Sequence, residues 1–437
     1  MTEKFERNSN KPEKAILVAV IPEDLNGQVT DESLEELESL AMTAGAEILS
    51  KVVQKRKRLN PATLLGKGKV EELANLVKET NATTIIFENE LTPATQMRLS
   101  SILNAKVLDR TALILDIFAQ HAVTREGKTQ VELAQLSYLL PRIKGKGMEL
   151  SRLGGGIGTR GPGETKLEED RRRIRNRMKK LSEDIAQMEA VRVTQSKRRR
   201  RAGLPSICLV GYTNSGKSTL LNRLTDSTVK VEDKLFSTLD STTRRIKLPN
   251  GRKAVISDTV GFIKNLPHEL VAAFYSTLEV VREATLLVHV VDVSAPIEVI
   301  EERMVSVREV LTQIGVLEIP SITVFNKSDA AELSAIKYVK RKYRDSIFIS
   351  AFKGENIETL LLAIEKKISD LVPCAFLIPA SRGDLISQIH ECGIVTSKLP
   401  YKKAIAIEAK IPPEKLKRYA KYIIHGNIDF AKLSSPK

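Results

Sequence analysis

Gly211-Tyr-Thr-Asn-Ser-Gly-Lys-Ser218 is the stretch that decides the fold of this 437-residue sequence. It follows the apolar run Ile207–Val210 and leads into the helical pattern Thr219–Leu224. Between a strand and a helix, Gly-x4-Gly-Lys-Ser forms a phosphate-binding loop, because its glycines let backbone N–H groups curl around phosphate oxygens at a positive helix N-terminus. We expect Lys217 to reach the β- and γ-phosphates and Ser218 to ligate Mg²⁺. The expected nucleotide contacts here are Gly211, Tyr212, Thr213, Asn214, Ser215, Gly216, Lys217, Ser218 and Thr219.

A second loop follows the predicted strand Ala254–Ser257 and reads Asp258-Thr-Val-Gly261. We expect the aspartate at this strand end to hold the Mg²⁺ shell through water, and the N–H of Gly261 to sense the γ-phosphate. Thr259 and Val260, between these two residues, are included among the expected nucleotide contacts.

Two further loops identify the base. Asn326-Lys-Ser-Asp329 follows the predicted strand Ile322–Phe325. The carboxylate of Asp329 can accept two hydrogen bonds from guanine N1–H and N2–H₂, a donor pair that adenine lacks. Ser350-Ala351 follows the strand Ile347–Ile349, and its backbone is expected to meet the guanine carbonyl. Four loops in this order, each after a strand, predict a guanine-nucleotide site at the carboxyl ends of a sheet. The expected base contacts are Asn326, Lys327, Asp329, Ser350 and Ala351.

The segment Leu235-Phe-Ser-Thr-Leu-Asp-Ser-Thr-Thr-Arg244 contains three threonines, of which one should ligate Mg²⁺ when GTP is bound. Its Phe-Ser-Thr-Leu-Asp sequence favours Thr238 over Thr242 and Thr243, and an ordinary polar loop is the alternative. The candidate catalytic residues are therefore Lys217, Thr238 and Gly261, and the candidate metal ligands are Ser218, Thr238 and Asp258.

Basic charge is concentrated between residues 142 and 203. This segment holds 19 Lys and Arg against 8 Asp and Glu, within a chain whose formal net charge is +15. Clustered basic charge indicates a polyanionic partner, and nucleic acid is favoured over a membrane surface. The glycine-rich stretch Gly154–Gly163 lies inside it, and a flexible linker with solvated charges is the alternative. The candidate RNA contacts are Lys144, Lys146, Arg152 and Arg160.

Hydrophobic periodicity predicts an α/β protein of four folded parts. A P-loop GTPase domain with a doubly wound, mostly parallel sheet is preceded by a small α/β domain and a long helical hairpin, and followed by a small α+β domain. The expected boundaries are 1–12 for a disordered tail, 13–110 for the N-terminal domain, 111–203 for the hairpin with its basic glycine-rich loop, 204–370 for the GTPase domain and 371–437 for the C-terminal domain.

Several other classes of protein are disfavoured by the composition. No apolar run approaches the ~18 residues that a membrane span needs. The polar N-terminus does not resemble a secretion signal. The three cysteines, Cys208, Cys374 and Cys392, form neither a CxxC pair nor a disulfide framework. We expect a cytoplasmic monomer.

These residues resemble the HflX family of translational GTPases, in the same superclass as Obg. The resemblance covers about residues 13–435, and its most specific parts are Gly158-Thr-Arg-Gly-Pro-Gly-Glu-Thr-Lys-Leu-Glu168, Gly211–Ser218, Leu235–Asp240, Asp258–Phe262 and Asn326–Asp329. It implies binding to the large ribosomal subunit, with the N-terminal region facing ribosomal RNA near the peptidyl-transferase region. It also implies splitting of stalled or idle ribosomes under stress.

Three positions qualify what the resemblance implies. Ser241 stands where the family often has proline, which loosens that loop. Phe262 stands where many small GTPases have a water-orienting glutamine, a trait shared by the family that implies slow intrinsic turnover and stimulation by ribosomes. Asn214 matches the asparagine that coordinates K⁺ in some related GTPases, and a loop-stabilising amide is the alternative.

Two functions of different classes remain open at this level. The first is a GTPase that uses GTP binding to act on ribosomes. The second is a GTP-regulated RNA-binding assembly factor, or a tRNA-related factor, in which turnover is incidental. They differ in whether assembled ribosomes, and not free RNA, accelerate hydrolysis.

Overall fold

The computed structural model describes residues 12–23, 27–143, 162–201, 204–225, 235–236, 242–264, 275–368, 372–392, 394–401, 403–411, 416 and 418–424. The chain divides into two compact units. Of the described residues, the first unit comprises those up to 188 together with 235–236, and the second comprises those from 189 onward apart from that pair.

The first unit is built on a four-stranded sheet with the order β2-β1-β3-β4, in which all neighbours are parallel. The apolar run Ala15–Ile21 of β1 is buried throughout, because a parallel sheet is covered on both faces. Strands alternate with helices as the sequence predicts. The elements are β1 Glu13–Pro22, α1 Gly27–Thr43, β2 Ala46–Arg56, α2 Lys67–Thr80, β3 Thr84–Phe87, α3 Pro93–Leu103 and β4 Lys106–Asp109.

Three further helices follow this sheet: α4 Arg110–His121, α5 Arg125–Leu139 and α6 Pro162–Arg201. The first arm of the expected hairpin is therefore two helices, because Thr124 caps α5 by accepting from Gly127 N at 3.0 Å. The 40-residue α6 begins at proline, as helices often do, and is highly charged. Among the described residues, no helix combines the length and the apolar character needed to cross a bilayer.

A buried ionic cluster joins three elements of the first unit. The guanidinium of Arg110 contacts Glu36 at 2.7 Å and Glu88 at 2.8 Å, and the arginine side chain is only 4% exposed. Opposite charges taken out of water need this kind of mutual pairing, since an isolated buried ion is costly. The cluster therefore ties the start of α4 to α1 and to the end of β3.

Phe236 also packs within the first unit. Its ring meets that of Phe118 edge-on, with centroids 4.7 Å apart, and its carbonyl accepts a hydrogen bond from His121 Nδ1 at 2.7 Å. The backbone of Phe236 has φ +55°, a left-handed value that is uncommon for a bulky side chain. The buried ring and this hydrogen bond hold that conformation in place.

The second unit contains a six-stranded sheet with the order β10-β9-β8-β5-β7-β6. All neighbours are parallel except β6 and β7, so the sheet is mostly parallel as predicted. The strands are β5 Ser206–Val210, β6 Thr243–Lys247, β7 Lys253–Asp258, β8 Leu286–Asp292, β9 Ser321–Asn326 and β10 Ile347–Phe348. The helices are α7 Lys217–Thr225, α8 Tyr275–Arg282, α9 Ile297–Gln313, α10 Leu333–Lys342 and α11 Ile357–Ile368.

A separate antiparallel sheet lies near the C-terminus, with the order β11-β13-β12. Its strands are β11 Val372–Pro379, β12 Ile394–Tyr401 and β13 Ala404–Ile411, and α12 spans Gly383–Cys392. A 3₁₀ turn over Ala420–Tyr422 is followed by Ile423, which bridges to Phe376 because the chain turns back to extend the sheet.

Candidate nucleotide-binding site

The phosphate-binding loop joins β5 to α7, as the sequence predicts, at the carboxyl end of the sheet's central strands. Gly216 has φ +89°, and a Cβ there would lie 2.2 Å from Asn326 Nδ2. Only glycine fits this position without strain. Asn214, also left-handed at φ +56°, is exposed, and the sequence-based expectation of K⁺ there stays a prediction.

Lys217 is held by the loop that precedes it. Its Nζ donates to the carbonyls of Gly211 at 3.1 Å and Tyr212 at 2.7 Å. An ammonium has three N–H donors, so one remains for a phosphate oxygen. The lysine is buried, and this burial lowers its pKa to about 8. A bound polyphosphate would restore the charged form, because opposite charge favours it.

Two of the residues predicted to hold Mg²⁺ lie in contact, Ser218 in α7 after β5 and Asp258 at the end of β7. Ser218 Oγ donates to Asp258 Oδ2 at 2.6 Å, and both residues are buried. The neighbouring Thr259 hydroxyl donates to Leu209 O at 2.7 Å, which fixes the end of β7. Hydroxyl and carboxylate oxygens are the ligands that Mg²⁺ prefers, so this pair fits the expected ion. Thr238 lies outside the described residues.

The loop after β7 runs alongside the phosphate-binding loop. Thr213 N donates to Phe262 O at 2.8 Å, and Phe262 N donates to Gly211 O at 3.0 Å. A Cβ on Gly261 would lie 2.8 Å from Thr213 Cα, so this close approach requires glycine. Phe262 is 2% exposed and apolar, and it therefore has no group that could orient an attacking water.

The base loop is tied to the phosphate loop through Asn326. Its Nδ2 donates to Ser215 O at 2.9 Å, and its Oδ1 accepts from Ala351 N at 2.9 Å. One buried amide thus joins three of the predicted loops. Ser215 and Ala351 are themselves buried, and both backbone groups pair with this side chain.

Asp329 is prepared to act as an acceptor. The Ser350 hydroxyl donates to its carboxylate and lowers its pKa below the ordinary value, with a further lowering by Lys353. The carboxylate is therefore ionised at neutral pH, as guanine recognition requires. Lys327 adopts φ +62° and its Nζ contacts Asp292 Oδ2 at 2.8 Å.

The sequence motifs did not identify the contacts of two residues at this edge of the sheet, Asp292 and Thr243. Asp292 ends β8, and its position at the carboxyl end of a parallel strand could have indicated that it lies near the site. Thr243 begins β6, and its Oγ1 lies 2.9 Å from Ser257 Oγ. Thr243 is therefore engaged in a sheet contact, whereas the expected ligand Thr238 stays a prediction.

Three family models match the chain. They are described as GTP-binding GTPase N-terminal, over residues 31–119, GTP-binding GTPase Middle Region, over 121–199, and 50S ribosome-binding GTPase, over 206–327. A relative from Caldanaerobacter subterraneus subsp. tengcongensis, named GTPase HflX, is 46% identical over 423 residues, which cover 96% of each chain. The GTPase HflX of Escherichia coli K12 is 41% identical over 389 residues, covering 87% of this chain and 90% of its own.

Solved structures were found as well. A crystal structure of a GTP-binding protein from the archaeon Sulfolobus solfataricus in complex with GDP is 26% identical. The match covers 82% of this chain and 98% of that chain, with a TM-score of 0.42.

Proposed function

The chain belongs to the HflX family of GTPases, and we propose that its hydrolysis of GTP serves the large ribosomal subunit and the splitting or rescue of stalled or idle ribosomes under stress. The basic charge of residues 142–203 supports an RNA partner. The description 50S ribosome-binding GTPase, attached to the model that matches residues 206–327, supports the same partner. Such a role places the protein in the cytoplasm.

We assign the nucleotide contacts as follows. Lys217 directs its remaining N–H toward the β- and γ-phosphates, and the Gly261 N–H contacts the γ-phosphate. Ser218 and Asp258 hold Mg²⁺, which neutralises charge on the phosphate oxygens when it is bound. The third proposed metal ligand is Thr238. The carboxylate of Asp329 accepts from guanine, and the backbone of Ser350 and Ala351 meets its carbonyl.

Phe262 makes GTP hydrolysis by the free protein slow. Because this side chain is apolar and buried, no residue at this position orients water in the free protein. We propose that the ribosome completes the site, so that GTP hydrolysis accelerates on binding. Stimulating partners of related enzymes give roughly 10³- to 10⁵-fold when they supply a missing charged group.

Sedimentation with separated ribosomal subunits tests this proposal. The protein loaded with a non-hydrolysable GTP analogue should co-sediment with large subunits, and the GDP form should bind them more weakly. Assembled ribosomes should accelerate GTP hydrolysis, whereas protein-free ribosomal RNA should not. Acceleration by free RNA alone would instead favour the assembly-factor or tRNA-related alternative.

A further inference from the structure

We propose that the hydroxyl of Tyr212 positions the γ-phosphate sensor, so that this side chain favours GTP over GDP. Tyr212 is the second residue of the phosphate-binding loop and one of the expected nucleotide contacts. The inference rests on the proposed role of Gly261, and it adds a specificity-determining side chain to that role.

The first contact joins Tyr212 to the segment that follows Gly261. The Tyr212 hydroxyl accepts from Lys264 N at 2.9 Å, three residues beyond that glycine. Tyr212 and Phe262 also form an isolated parallel bridge. The segment 261–264 is therefore fastened at both ends to the phosphate-binding loop, at Phe262 by backbone and at Lys264 by a phenol.

The tyrosine itself is held from two sides. Its carbonyl accepts from Lys217 Nζ at 2.7 Å, so the backbone is fixed by the phosphate-binding lysine. Its ring lies 5.2 Å from the guanidinium carbon of Arg303 on α9, within cation–π range. The Lys264 side chain pairs with Glu302 on the same helix. Helix α9 thus supports both partners of the hydroxyl bond.

These contacts bear on the third phosphate because of where Gly261 lies. A Cβ on Gly261 would be 2.8 Å from Thr213 Cα and 3.1 Å from Lys217 Nζ, so its backbone sits beside the lysine that we assign to the β- and γ-phosphates. A sensor already ordered in this place costs less entropy when the γ-phosphate binds. GDP has no γ-phosphate, and its affinity should not depend on that ordering.

The test compares Tyr212→Phe with the unaltered full-length protein. Phenylalanine keeps the ring and removes the hydroxyl that accepts from Lys264 N. We expect affinity for a non-hydrolysable GTP analogue to fall about threefold to tenfold, the usual range for one hydrogen bond, with GDP affinity unchanged. The single-turnover rate of GTP hydrolysis should fall as well. Fluorescent-nucleotide titration and rapid mixing measure these quantities.

Tyr343→Phe is the matched control. The Tyr343 hydroxyl donates to Glu301 Oε2 at 3.0 Å, so this variant also removes one tyrosine hydroxyl bond, here to α9, the helix that carries Arg303. Its ratio of GTP-analogue to GDP affinity should equal that of the unaltered protein. Equal losses of GTP-analogue and GDP affinity in Tyr212→Phe, or no change in either, would overturn the proposal, as would tighter binding of the analogue.

Amide hydrogen exchange at Gly261 separates this inference from the role it rests on, because a side chain at this position would displace the phosphate-binding loop. If the GTP analogue protects the Gly261 N–H more than GDP does but Tyr212→Phe keeps its preference for the analogue, Gly261 is the sensor and the hydroxyl is not its positioning group. If the analogue and GDP protect the Gly261 N–H equally, the assignment of Gly261 itself fails.

Discussion

The side-chain amide of Asn326 donates to the carbonyl of Ser215 across 2.9 Å, although 111 positions separate the two residues. The base-recognition loop and the phosphate-binding loop are therefore parts of one hydrogen-bonded structure. Neither loop can shift without disturbing this bond. The same side chain also accepts from Ala351 N, so the loop after β10 is joined to both.

Asn326→Ala should weaken GDP and a GTP analogue together. It leaves the buried Ser215 carbonyl and Ala351 N–H without this partner, at a cost of about 1–3 kcal/mol each. We expect affinity for both nucleotides to fall by about tenfold or more, with a lower unfolding temperature for the second unit. Isothermal titration and calorimetry measure the two effects.

Asn89→Ala provides the comparison. Asn89 makes the same two kinds of bond, to Val20 N at 2.8 Å and Val20 O at 2.9 Å, in the first unit. It should lower stability without changing nucleotide affinity. Equal nucleotide affinities for Asn326→Ala and the unaltered protein would show that the loops do not depend on this bond.

Nucleotide affinity should fall as pH rises through about 8. Burial lowers the pKa of Lys217 in the free protein to about 8, and bound phosphates raise it again. Binding then takes up a proton above that pH, and GDP affinity should fall about fourfold between pH 7 and about pH 8.5. Lys217→Ala should bind weakly at every pH and lose this slope. A flat profile in the unaltered protein would contradict the prediction.

Asp329→Asn should exchange guanine for xanthine. The substitution removes the acceptor for guanine N1–H and N2–H₂, and its amide can donate to the extra carbonyl of xanthine. GTP affinity should fall by up to ~10⁴-fold while XTP affinity rises. Competition between the two nucleotides measures the preference. Lys217→Ala, which acts on the phosphates, should weaken both nucleotides alike; an unchanged preference in Asp329→Asn would refute the base contact.

Arg152→Ala combined with Arg160→Ala should weaken large-subunit binding. Both residues lie outside the described part of the chain, and the expectation rests on the charge of 142–203. If each arginine neutralises one RNA phosphate, the log–log salt slope should fall by about 1.5. GTP affinity should stay unchanged. Lys366→Ala with Lys367→Ala removes equal charge from α11 and should leave subunit binding intact.

Arg110→Ala should destabilise the first unit by about 3–5 kcal/mol, because it leaves Glu36 and Glu88 without the buried cation between them. Lys51→Ala removes a surface partner of Glu38 and should cost less than about 1 kcal/mol. Urea unfolding measures both. Similar losses of unfolding free energy in the two variants would mean that the buried Arg110 cluster stabilises the protein no more than a surface ion pair does.

The parts of the fold that could be predicted are those whose local sequence pattern is typical of one structure. Ala15–Ile21 and Ile207–Val210 are continuous apolar runs, and parallel strands buried on both faces have that composition. The phosphate-binding loop could be predicted because its glycine and lysine positions have few structural alternatives. The base loop was equally clear from its short polar motif after a strand.

Other features depend on tertiary contacts that sequence patterns do not record. Strand β6, Thr243–Lys247, is an edge strand with one buried residue, Ile246, so it has no apolar alternation to reveal it. The break between α4 and α5 contains neither glycine nor proline. The bond from Tyr212 to Lys264 depends on how two loops meet at one end of the sheet.

Cys208 lies on β5 between β7 and β8, fully buried, and burial raises its thiol pKa above the ordinary value. A thiol reagent can reach it only when the six-stranded sheet opens, so the labelling rate of Cys208 reports how often that sheet opens. Cys374 on β11 is only half-buried and provides a faster internal reference. Saturating nucleotide should slow the labelling of Cys208 in proportion to the nucleotide concentration divided by its Kd, because nucleotide binds the closed form.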